Sequence, residues 1–123
     1  MSPATIIEQY PDINIVKTED GILKKADFII DANAFIDKTS TLEAIYAGLG
    51  FRENIPYANY DGLEDLLSSQ AWSESEVEIL ITNAGRLEKI DASVLTVVFE
   101  IFSQAIVDWK NSGKSLRVEL LVE

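Results

Sequence analysis

The sequence predicts an α/β domain, a small parallel sheet of three strands packed by about four helices, with an N-terminal extension that adds a hairpin. Three observations lead there. The chain has 123 residues, 47% of them hydrophobic, enough for one core and too few to suggest two. Short apolar runs bounded by turn residues alternate with segments whose apolar residues recur at helical spacing. Strands separated by helices need crossover connections, and crossovers produce parallel pairing.

Taken in order, residues 1–25 carry INIV (13–16) and ILKK (22–25), with Asp20-Gly21 between them as a hairpin turn. This stretch is read as an extension of the domain that occupies residues 26–123. ADFIIDA (26–32) has an apolar centre flanked by acids and suits a buried strand. Asp37 and the Thr39-Ser40-Thr41 cluster offer N-caps to the next segment, where Leu42, Ile45, Tyr46 and Leu49 share a helical face and Gly48 or Gly50 ends it. After the connector FRENIPY (51–57), Asn59 caps a second helix. Tyr60, Leu63, Leu66 and Leu67 form its apolar side, and Asp61, Glu64, Asp65 and Ser68 its polar side. SEVEILIT (75–82) reads as a strand broken by NAG, and RLEKI as a brief helical turn. Asp91 caps the long helix ASVLTVVFEIFSQAIVDWK, whose apolar residues nearly encircle it. Its Glu100, Gln104 and Asp108 make a membrane span the poorer reading. Gly113 stops the helix, and SLRVELLVE closes the chain as a strand.

The chain has neither cysteine nor histidine, which removes disulfides, thiolate nucleophiles, imidazole bases and the commonest zinc ligands. Its N-terminus lacks the basic start and apolar run of a signal peptide, so a cytoplasmic location is expected. With 21 acids against 10 bases and a net charge of -11, direct binding to nucleic acid or to an anionic membrane is not expected, and a basic protein partner is. The charge is also uneven. Residues 53–85 hold seven acids and no lysine or arginine. The simplest account of such a stretch is a solvated surface that confers solubility.

Three carboxylates along NYDGLEDLL (59–67) ask for more than that, since like charges four apart weaken a helix by roughly 0.2 to 0.5 kcal/mol. General acid catalysis needs one carboxyl in an apolar pocket, whereas Asp61 and Asp65 lie on the polar side of the helix. The spacing D-G-L-E-D also lacks the alternating ligands of a calcium loop, and no phosphate-binding or nucleophile-elbow glycine motif occurs. No enzyme, cofactor or metal is expected. Recognition of a cationic protein surface remains. Carboxylates fixed on a helix lose little entropy on binding and speed encounter with a basic site, such as one built to hold phosphate.

At this helix the sequence resembles the barstar family, intracellular inhibitors of the secreted ribonuclease barnase. N-Y-D-G-L-E-D-L-L is similar to that family's N-[LW]-D-A-L-x-D-x-L. The resemblance extends over about the last 98 residues, through FIIDANAF, TLEAIYAGL, VEILITNAG, VVFEIFSQA and SLRVELLV. It implies that Asp61 and Asp65 enter the active site of a basic ribonuclease toxin and that Asn59 opens the inhibitory helix. Tyr57 falls in the family's contacting loop, although the loop pattern Y-[YF]-G is absent. Glu64 stands where the family has tryptophan, and Gln104 where it has a contacting glutamate. The function implied is an immunity protein of a toxin–antitoxin or contact-dependent inhibition system that occludes the ribonuclease through residues 59–68. The alternative is a non-catalytic interaction domain of the same fold that binds a non-nuclease partner or itself.

Overall fold

The computed structural model describes residues 1–17, 26–51, 59–68 and 74–122. Helix α1 (Pro3–Gln9) opens the chain, followed by β1 (Asn14–Lys17) and β2 (Phe28–Asp31). Helices α2 (Lys38–Gly48) and α3 (Tyr60–Ser68) lead to β3 (Glu76–Thr82), and α4 (Ala92–Asn111) leads to β4 (Ser115–Val122). Two 3-10 segments, Ala32–Ala34 and Ala84–Lys89, follow β2 and β3.

The sheet is parallel as expected, but it has four strands rather than three, in the order β1-β4-β3-β2. The added strand is the INIV run of the N-terminal extension. It pairs with β4, Asn14 opposite Glu119 and Lys17 opposite Val122, and so covers what would otherwise be the sheet edge. The Asp20-Gly21 turn and the ILKK run expected to complete a hairpin lie outside the described residues. α1 is the second departure. Ser2 accepts a hydrogen bond from the Thr5 amide and Pro3 occupies the first helical position, where a missing N–H costs nothing.

From β2 to β3 to β4 the chain steps across the sheet in one direction, so right-handed crossovers put α2, α3 and α4 on one face. Strand alternation turns Ile30, Val77, Ile79, Ile81, Leu116, Val118 and Leu120 into a single core with Phe35, Leu42, Ile45, Leu63, Leu67, Phe99 and Phe102. The N-terminal extension belongs to it. Ile6 and Ile13 are buried there, and the Tyr10 ring lies 6.3 Å from that of Phe99. α4 is long and apolar enough to cross a membrane, yet Val94, Leu95, Val98, Phe99, Ile101, Phe102, Ala105 and Trp109 are buried within the domain.

Caps account for the helix starts. Asp37 accepts from the Ser40 amide at 2.8 Å while the Ser40 hydroxyl lies 2.9 Å from the Asp37 amide, a capping box. Asp91 caps α4 through the Ser93 amide. These amide bonds hold both exposed carboxyls below the usual carboxylate range. α2 ends against β2 where only glycine fits. A Cβ at Gly48 would stand 2.6 Å from Ile30 Cγ1 and 2.8 Å from the Ile29 carbonyl oxygen.

Candidate protein-binding face

α3 is short, and its placement comes from three neighbours. Leu63 and Leu67 are fully buried, while Tyr60 and Leu66 are half-buried beside them. At the helix start Asn59 Oδ1 accepts from the Gly62 amide at 2.6 Å, as its position before the first turn predicts. The Asn59 carbonyl accepts from the Tyr46 hydroxyl at 3.3 Å, which ties α3 to α2. At the helix end the buried Trp109 Nε1 donates to the Leu67 carbonyl at 2.9 Å, which ties α3 to α4 and satisfies a terminal oxygen. A nine-residue helix is marginal alone, so these anchors and the two leucines fix it.

With its apolar side buried, α3 presents Asp61, Glu64 and Asp65 to solvent. Asp61 lies in the first turn, where the positive end of the helix dipole favours it. The only cation found against this helix among the described residues is Lys38, whose Nζ sits 4.4 Å from the centre of the Tyr60 ring. Burial pushes the Tyr60 phenol up, and the Asp91 carboxylate adds to that, so the ring stays neutral.

The three carboxylates do not point the same way. Glu64 turns toward α4, where it and Asp61 line a groove of about 660 Å³ with Tyr60, Val97, Glu100, Ile101, Gln104 and Val107. Asp65 falls on the opposite flank, toward α2, where its charge contributes to raising the Tyr46 phenol after burial. Gln104 borders the groove, but its Nε2 donates to Asp108 Oδ1 at 2.9 Å. Tyr57 lies outside the described residues.

Two groove residues, Glu100 and Tyr10, carry no sequence signal of their own for a binding role. Glu100 sits one turn before Gln104 on α4, at the spacing that repeats Val97, Glu100, Ile101, Gln104 and Val107 along one face. That spacing was visible in the sequence; which neighbour the face would meet was not. Tyr10 comes from the extension and reaches the groove through tertiary packing, its hydroxyl donating to the Thr96 carbonyl at 3.1 Å. Burial, then the charge of Glu100, pushes the Tyr10 phenol up.

The face as a whole is a convex acidic helix beside an apolar groove with acidic walls. Its carboxylates are exposed on a helix surface, and among the described residues no group of three or more acids, histidines or cysteines is placed to hold a metal ion. Such a face can accept cationic side chains from a partner on α3 and along the groove.

The sequence model of the barstar family, described as barnase inhibitor, matches residues 26–121. The match covers most of the chain, so this chain belongs to the barstar family. No curated relative and no solved structure matches it.

Proposed function

We propose that this barstar-family chain is an immunity protein that binds a basic ribonuclease toxin inside the producing cell and covers its active site with α3. The family is one of ribonuclease inhibitors, which supports the class of partner. The observation that carries the reading for this chain is the presentation of α3. Its leucines are buried, both ends are tied to neighbouring helices, and Asp61, Glu64 and Asp65 are left exposed with one nearby lysine.

In this reading Asp61 and Asp65 occupy positions that substrate phosphates would take, contacting arginine and lysine side chains through charge-assisted hydrogen bonds. Asn59 sets the start of the helix, and Tyr57 lies in the segment leading into it. The side toward α4 differs from the family pattern. Gln104 replaces a glutamate there, while Glu64 and Glu100 line the same groove and supply the negative charge. Glu64 and Glu100 then select a ribonuclease that brings a cation to the groove, and the chain itself catalyses no reaction.

Co-expression with the product of the adjacent gene tests this reading. The expected result is survival, intact RNA and co-purification of a basic nuclease with this chain. A neighbour that is harmless alone, or that is captured without being a nuclease, would favour an interaction domain of this fold with another partner. Self-association with no captured protein would favour a homodimer.

A further inference from the structure

A second concave site lies at the carboxyl ends of β2, β3 and β4, lined by Asn33, Asn83, Arg86, Lys89 and Val122 and enclosing about 320 Å³. It collects two of the chain's ten cations in a protein with twice as many acids. The reason is local. Residues three apart eclipse on a 3-10 helix, so Asn83, Arg86 and Lys89 at the start of and within Ala84–Lys89 fall in one row on one side. Two cations in such a row repel each other unless an anion stands between them.

Among the described residues neither Arg86 nor Lys89 has a carboxylate partner, and Arg86 Nε is buried without any hydrogen-bond acceptor. Arg86 lines the pocket while its Nε is shielded from solvent, so the donors it can offer an entering anion are its terminal N–H groups. Asp31, bonded to both asparagines of the pocket, is already engaged. Its Oδ1 accepts from the Asn33 amide at 2.9 Å and from Asn83 Nδ2 at 2.8 Å. Those bonds hold the two asparagines at the pocket wall.

We propose that this pocket binds a phosphate group, free or carried by a small phosphate ester. Phosphate is nearly a dianion at neutral pH and matches two cations, where a carboxylate balances one. Arg86 would donate from its terminal N–H groups to two of its oxygens, and Lys89 would supply the second charge. The site is at the strand ends and shares no residue with the acidic face, so it stands whether or not the chain inhibits a ribonuclease.

The test is an NMR titration of ¹⁵N-labelled full-length protein with inorganic phosphate, ribose 5-phosphate, acetate and sodium chloride at matched ionic strength. Saturable shifts of the Arg86 Nε–H signal and of the Asn33 and Asn83 signals are expected with the first two. Arg86→Gln and Lys89→Gln should each weaken binding by about tenfold or more, the worth of one charged hydrogen bond. Preference for ribose 5-phosphate would mark an ester site, and equal binding the free ion. Equal responses to acetate or chloride, no response to phosphate, or unchanged affinity in both folded variants would overturn the proposal.

Discussion

Gly48→Ala tests the packing that sets α3 in place. The added methyl would meet Ile29 O at 2.8 Å and Ile30 Cα at 3.2 Å, backbone atoms of a strand that is hydrogen-bonded to β3. Ile30 Cγ1 at 2.6 Å is the softer obstacle, but Ile30 is fully buried and has nowhere to turn. α2 must therefore move away from β2 by several tenths of an ångström. Overpacking of this kind costs about 1–3 kcal/mol, against which alanine regains up to about 1 kcal/mol of helix propensity over glycine. At mid-range values the net loss is about 1 kcal/mol, or roughly 4 °C of melting temperature for a domain of this size. Because Tyr46 on α2 bonds the Asn59 carbonyl, the shift should also perturb the start of α3 and weaken partner binding. Thermal unfolding by circular dichroism, with Gly50→Ala as comparison, measures the stability change. Gly50 has φ +89 and open space around its Cβ position, so alanine there costs backbone strain with no clash. A Gly48→Ala protein as stable as the wild type would refute the close approach of α2 to β2.

Two further predictions concern charge. The caps Asp37 and Asp91 have carboxyls held below their ordinary range, so their contribution to stability is full above the unfolded value near pH ~3.9 and is lost as pH falls through the lower folded values. Asp37→Asn with Asp91→Asn keeps the caps and removes the ionisation. Its unfolding free energy should fall less steeply than that of the wild type below about pH 4, and superimposable acid limbs would contradict the assignment. Glu100→Lys reverses a groove charge on an exposed position of α4, so melting temperature should stay within about 2 °C while affinity for the captured nuclease falls at least about tenfold. Unchanged affinity would remove Glu100 from the interface.

Much of this was legible in the residues. α2, α3 and α4 have caps and apolar spacings that leave little choice, and β3 and β4 are apolar runs between turn residues. Asp61, Glu64 and Asp65 were bound to be exposed once Leu63 and Leu67 were assigned to the core. What escaped was non-local. INIV reads as a strand, but its pairing with β4, about a hundred residues later, carries no local signal, whereas the nearby Asp20-Gly21 suggests a hairpin. The helix α1 has its signal in Ser2-Pro3, an N-cap followed by proline, and its seven residues, about two turns, offer little periodicity beyond that. On the acidic face, helical angles place Glu64 and Asp65 100° apart, yet only packing reveals that one looks toward α4 and the other toward α2. Glu100 and Tyr10 join the groove for the same reason.

The central claim is that carboxylates on α3 inhibit a ribonuclease by occupying its basic site. The most direct measurement is inhibition of the co-purified nuclease by the wild type, Asp61→Ala and Asp65→Ala, with dissociation rates followed at several salt concentrations. The account predicts stoichiometric inhibition by the wild type, faster dissociation in both variants with unchanged folding, and affinity that falls as salt rises. Full nuclease activity with wild-type protein in excess, or equal inhibition by the two variants and the wild type, would contradict it.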